Sequence, residues 1–232
     1  HNRVRRQRQM CIRDSRRAAH GWQSTLKLTL DNVVKLDKLK PLVEDFYREF
    51  EFAELQINME VFNGSWEAIA QGRADIVVGA TSAIPVGGDF EVKDMGVLDW
   101  AFVMSPAHPC VRQQILTEEF VSQFPAICLD DTSNVLPKRH TGHYPKQRRL
   151  LLPNWYSAIE CLKNGVGVGY MPRHIAMPLI HEGTLVEKVL QDDMPISQCC
   201  LVWRKDDNHK LIQWMVDYLG ASNKLHQDWL QY

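Results

Sequence analysis

The sequence has no run of about 18 apolar residues, so nothing in it reads as a membrane-spanning helix. Its start is basic, but no apolar stretch follows, so no secretory signal is read there. It has no C-x-x-C pair. The six cysteines stand at 11, 110, 128, 161, 199 and 200, and four of them (Cys128, Cys161, Cys199, Cys200) lie in apolar runs, where a thiol acts as a small hydrophobe. That usage fits a reducing, cytoplasmic setting without disulfides. There is also no G-x-S-x-G, no Walker loop and no metal-ligand spacing. "GVGVGY" lacks the G-x-G-x-x-G interval and does not open a helix. "RHTGH" (His140, His143) has no carboxylate or thiol partner at ligand spacing. These absences argue against an enzyme, a resident metal or a cofactor.

What is present suits a globular α/β chain. The 232 residues are 45% hydrophobic and 24% charged, enough for one large domain or two small ones. The formal net charge of −1 hides an asymmetry. Residues 1–17 hold seven arginines and one acid, so they carry +6 and the remainder −7. An acidic body repels phosphate backbones, so this body is not expected to touch nucleic acid. The start, "HNRVRRQRQMCIRDS", shows neither amphipathic period nor capping logic. It reads as a disordered or non-native leader, with a basic nucleic-acid arm as the other reading.

Regular patterning begins near Ser24. "TLKLTLDN" alternates as a strand, and "KLKPLVEDFYREF" has helical spacing. "ELQINMEVF" is a strand; "SWEAIAQGR" is a short helix with Ser65 as its cap. "ADIVVGAT" is continuously apolar, as in a parallel strand buried on both faces. After a Gly87-Gly88 turn, "LDWAFVMS" reads as another buried strand. The second half repeats the grammar through "TEEFVSQF" (capped by Thr117), "AICLDDTSN", "RLLLPNW", "YSAIECLKNG", "VGVGYMP", "RHIAMPLIHEG", "LVEKVL" and "CCLVWRK". "HKLIQWMVDYLG" reads as the last helix. Two α/β halves imply two lobes.

Ligands of open α/β sheets bind outside the carboxyl ends of the strands. Here those ends are Asp31-Asn32, Phe62–Ser65, 80–85, 130–134 and Asn154–Ser157, all short and polar. Several precede a helix, whose free N–H groups accept polar or anionic atoms. Gly64 lets the chain turn at Asn63-Gly64-Ser65, which reads as a pocket floor. Trp66 and Phe62 either stack on a flat ligand or pack under the sheet. Trp155 and Tyr156 open a helix in the other half, so one can face them across a cleft. Asp31 and Asn32 offer polar groups to a ribose or exocyclic amine, or cap the next helix. Ser157 belongs to the same helix start as Trp155. Met171 lies on the cleft floor or fills core.

"EVFNGSWEAIAQGRADIVVGA", "VMSPAHPC" and "SAIECLKNGVGVGYMP", in that order and spacing, resemble the effector-binding domain of LysR-type transcriptional regulators over about residues 21–232. "NMEVFNGSWEAI", "GATSAIPVGG", "DMGVLDW" and "DDTSNVLPKR" are similar to the branch that regulates purine nucleoside transport in enteric bacteria. The resemblance implies two Rossmann-like lobes joined by two crossover strands, as in type 2 periplasmic binding proteins. Lobe I would be 21–105 and 204–232 and lobe II 106–203, with crossovers near Met104–Pro109 and Cys200–Lys205. It implies that Ser65 and Thr81 line an effector cleft, with Asp131, Thr132 and Ser133 either facing it from lobe II or making a surface turn. "RRAAHGW" resembles the tail of the family's linker helix, and no helix-turn-helix is seen. A cytoplasmic homodimer, tetrameric in full-length form, is implied, sensing a metabolite such as a purine nucleoside or base and touching DNA only through the missing domain. Two other readings stay open: a solute-binding receptor of the same fold feeding a transporter, and a self-association domain with a vestigial pocket.

Overall fold

The computed structural model describes residues 25–140, 142–190, 196–205 and 209–232. The basic leader and the linker-helix tail therefore lie outside the described residues. The chain opens with β1 (Thr25–Asp31), whose alternate residues Leu26, Leu28 and Leu30 are fully buried. Helix α1 (Leu39–Glu49) lays Leu42 and Phe46 on the sheet. It is clamped by Trp214, whose ring meets Phe46 at 5.8 Å and Phe50 at 5.5 Å, edge to face. Then follow β2 (Glu54–Glu60), α2 (Asn63–Ala70), β3 (Ile76–Thr81) and β4 (Phe90–Leu98). Strand β5 (Trp100–Met104) follows after the single residue Asp99. After a short 3₁₀ turn come α3 (Glu118–Val121), β6 (Ala126–Leu129) and β7 (Arg149–Leu152). The chain continues through α4 (Trp155–Lys163), β8 (Gly169–Pro172), α5 (Arg173–His181) and β9 (Val186–Glu187). It closes with β10 (Ser197–Arg204), α6 (Lys210–Leu219) and α7 (Ser222–Trp229).

The first sheet has the order β2-β1-β3-β10-β4, with β1, β2 and β3 parallel and β10 antiparallel to both neighbours. In the second lobe β6 and β7 pair in parallel, and β5 lies between β8 and β9. The bridge Ala126–Val168 joins these two pieces, with Ile127 N–H donating to Val168 O at 2.8 Å. The second sheet thus runs β7-β6-β8-β5-β9, the same order as the first with β5 in the place of β10. The close approach explains the glycine-rich strand: a Cβ on Gly167 would collide with the Pro125 carbonyl, and one on Gly169 with the Ile127 carbonyl.

The bilobal α/β fold is as the sequence implies, but the passages between lobes fall elsewhere. Strand β5 belongs to the second sheet, so the first passage is at Asp99 rather than Met104–Pro109. Strand β10 belongs to the first sheet, so the chain is back in the first lobe by Ser197 rather than crossing at Cys200–Lys205. Both strands are buried, and an apolar run reports burial without naming its neighbours. The helix read as last is followed by α7, which buries Leu225 and Trp229. Trp229 O accepts the Lys35 N–H at 2.9 Å, tying the C-terminal segment to the loop after β1. No helix among the described residues is long and apolar enough to cross a membrane.

Candidate functional site

The strands β1, β2 and β6 deliver their carboxyl ends to the seam between the lobes. Asp31 ends β1 and is 1% exposed. Its carboxylate accepts from Ser65 Oγ at 2.7 Å and from Val33 N–H at 3.3 Å. Burial raises its pKa to about 7, against the opposing pull of these bonds and with nearby Asp131 adding to the rise. Helix α2 starts without a side-chain cap of its own. Phe62, just before it, has φ 53°, the one positive value at a non-glycine position among the described residues. Ser65, expected as the cap, instead sits in the first turn and holds Asp31.

The missing cap comes from the other lobe. Asp131, fully buried, accepts from the N–H groups of Asn63 at 3.2 Å and Gly64 at 3.1 Å. The same carboxylate accepts from Ser133 N–H at 2.9 Å and Arg139 N–H at 2.8 Å. The reverse contact comes from Glu67 of α2. It accepts from Ser133 Oγ at 2.6 Å, Asn134 N–H at 2.8 Å and Val135 N–H at 2.9 Å. The Ser133 bond, then the Val135 and Asn134 amides, then Arg73, hold the Glu67 pKa down to about 2, against desolvation. Thr132 hydrogen-bonds Glu60 and accepts the Val61 N–H at 2.9 Å. Loop 130–139 and helix α2 are therefore fastened by two carboxylates pointing in opposite directions.

Beside this clasp lies a cavity of about 830 Å³ with walls from both lobes. Asn32, Lys35, Met59 and Val61 face it from lobe I, and Thr132, Trp155, Tyr156 and His174 from lobe II. Tyr232, from the C-terminal segment, completes the rim. Trp155 Nε1–H donates to Asn32 O at 2.9 Å, a bond that crosses the seam on the cavity wall. Tyr156 is 82% exposed. Burial holds His174 neutral, its pKa lowered to about 4; Lys35 reinforces the lowering, and Asp37 and the Leu230 backbone oppose it. Among the described residues no group of three or more His, Cys, Asp or Glu is arranged to hold a metal ion.

Of the residues that the sequence points to, Asn32, Thr132 and Trp155 line the cavity. Asp31, Phe62, Asn63, Ser65 and Asp131 form the buried seam beside it. Trp66 does neither: it is fully buried, donates to Thr81 O at 2.8 Å and meets the Phe90 ring at 5.8 Å. Thr81 receives Arg139 Nη1–H on its hydroxyl at 2.8 Å, away from the cavity. Ser157 is engaged with the helix cap Asn154, and Met171 is fully buried in β8. Sequence patterns miss Lys35, Glu67, His174 and Tyr232. Lys35 lies just past the polar end of β1, a signal that could have found it. A glutamate inside "SWEAIA" and a histidine opening a helix carry no local sign of a role.

A seam of strand-end loops around a cavity walled by both lobes has the geometry of a small-molecule site. The family model for the LysR substrate binding domain matches residues 19–224, and the chain belongs to that family of transcription regulators. It is 37% identical over 225 residues, 97% of this chain and 71% of the relative, to the HTH-type transcriptional regulator PunR of Escherichia coli. It is 27% identical over 206 residues, 88% of this chain and 67% of the relative, to the uncharacterized HTH-type regulator YeeY of the same species. Among solved structures, full-length LysG from Corynebacterium glutamicum with bound effector Arg superposes with TM-score 0.62 at 18% identity, covering all of this chain and 77% of LysG. The regulatory domain of MetR from N. meningitidis gives 0.60 at 15%, covering 88% and 94%. The chain is thus a LysR-type effector-binding domain of the PunR branch, and its relatives are regulators, not enzymes.

Proposed function

We propose that this domain senses a purine nucleoside or base in the interlobe cavity and passes the signal to DNA-binding domains outside this chain. The observation that carries the reading is the cavity itself. Its volume, about 830 Å³, falls in the range of small-molecule sites, and its walls come from both lobes. A ligand there contacts both lobes at once, so its affinity depends on their arrangement, which is the condition for shifting an equilibrium. Trp155 and Tyr156 offer aromatic faces to a flat ring, and Asn32, Thr132 and His174 offer donors and acceptors to ring nitrogens or ribose hydroxyls. The sequence likeness to the purine-transport branch supports the ligand class. A cytoplasmic homodimer, tetrameric when the helix-turn-helix is attached, fits the regulators this chain resembles.

The test is isothermal titration of adenosine, inosine, guanosine and their free bases into the chain. At least one is expected to bind, and Tyr156→Ala, at an exposed position, is expected to weaken it at least tenfold with Tm unchanged. A complete absence of binding across the panel, or an unaltered affinity in the variant, rejects the reading.

A further inference from the structure

We propose that the effector of the interlobe site is uncharged: Asp131, buried in the seam beside the cavity, already fills the helix start that would attract an anion, and the one lysine or arginine described on the cavity wall is paired, so carboxylates or phosphates are refused. This rests on the interlobe cavity being the effector site. A helix start with free amides attracts anions. Here those amides, on Asn63 and Gly64, already face a carboxylate of the chain itself, at 3.2 and 3.1 Å. The carboxylate is closed in by Ser133 and Arg139 N–H on its other flanks, so all four donors are satisfied within the protein.

The adjoining cavity points the same way independently. Among the described residues Lys35 is the one lysine or arginine on its wall, and its ammonium stands 3.6 Å from the Asp37 carboxylate. His174, neutral by burial, adds no charge. The Arg139 guanidinium is turned to Thr81 instead. An anion entering the cavity would lose its hydration and find, among the described residues on the wall, a single cation already paired.

The experiment uses malonate and sulfate as anion probes against sodium chloride of equal ionic strength, on the chain and on Asp131→Ala and Asp131→Asn. Melting temperatures and the amide resonances of Asn63 and Gly64 are followed. In the parent chain neither probe is expected to move those amides or raise Tm beyond the chloride control. In Asp131→Ala both probes are expected to shift the two amides and raise Tm by several degrees; Asp131→Asn, which keeps one acceptor, gains less. Displacement of the amides by malonate in the parent chain overturns the proposal. So does a folded Asp131→Ala that gains nothing. If Asp131→Ala does not fold, Asp131→Asn and the parent amides decide between the two outcomes. Nucleoside binding without a gain in the variants rejects this inference alone. A gain in the variants without nucleoside binding rejects the purine reading alone.

Discussion

Asp31 carries an electrostatic cost that the fold tolerates. In the unfolded chain its carboxyl ionises near 3.8, and in the fold burial raises this to about 7. Between those values the folded state binds a proton that the unfolded state has lost, so this residue's contribution to stability falls as pH rises through that window. His174 works in the opposite direction. Its folded pKa of about 4 lies below the ordinary imidazole value of 6.5, so its contribution is lost as pH falls from 6.5 towards 4. The two effects oppose each other in the parent chain, and only a variant separates them. Asp31→Asn is expected to raise stability by about 2 kcal/mol at pH 8, the advantage shrinking to nothing near pH 4. Chemical denaturation at both pH values checks this, and an equal effect at the two would refute it. The residue scale also shows why site chemistry is only partly legible in the sequence. Asp31 and Trp66 both adjoin a polar turn, yet one meets the seam and the other the core. Sequence places a residue at a strand end; the direction of its side chain depends on the sheet twist and on what packs above.

At the scale of elements, the start of α2 shows how tightly the lobes are matched. Phe62 in a left-handed conformation and Gly64 against Thr132 together bring two backbones to within one small side chain of each other. Gly64→Ala is expected to cost more than about 2 kcal/mol, because its methyl would overlap Thr132 Oγ1 and crowd Glu60. The double variant with Thr132→Gly should recover part of the loss, which a destabilisation confined to the helix would not allow. Urea denaturation of the single and double variants checks both claims. Most elements are readable from their period: β1 alternates, α1 repeats at helical spacing, and β3 is an unbroken apolar run. Three features are not. The partners of β5 and β10 are hidden because both strands are buried wherever they sit. Strand β9 is only Val186–Glu187, shorter than "LVEKVL" suggests. Helix α7, "SNKLHQDW", is mostly polar and is fixed by docking Leu225 and Trp229, not by its own pattern.

At the scale of the whole molecule, the two lobes share one strand order, and the chain passes from the first to the second and back. Covalent joints alone would leave their relative orientation free, and the reciprocal carboxylates are expected to be a main restraint on it. Each carboxylate belongs to a different lobe and accepts from the backbone of the other, so losing either removes one side of the clasp while the Trp155–Asn32, Thr132–Val61 and Arg139–Thr81 bonds remain. Glu67→Gln tests this without touching Asp131. The amide keeps one acceptor but brings an NH₂ group against the donors of Ser133, Asn134 and Val135. The expected loss is roughly 2 kcal/mol. It should appear as faster hydrogen exchange at Asn134 and Val135 and as a larger radius of gyration by small-angle scattering, with exchange in β1 and β3 unchanged. The pH dependence has a definite sign. The Glu67 carboxyl is lowered from 4.5 to about 2, so its contribution is complete above 4.5 and is lost as pH falls towards 2. Parent and variant should therefore differ most near neutrality and converge in acid. A difference that persists to pH 2, or a variant whose lobes scatter like the parent's at neutral pH, would show that the orientation is held by packing alone and that the clasp merely accompanies it.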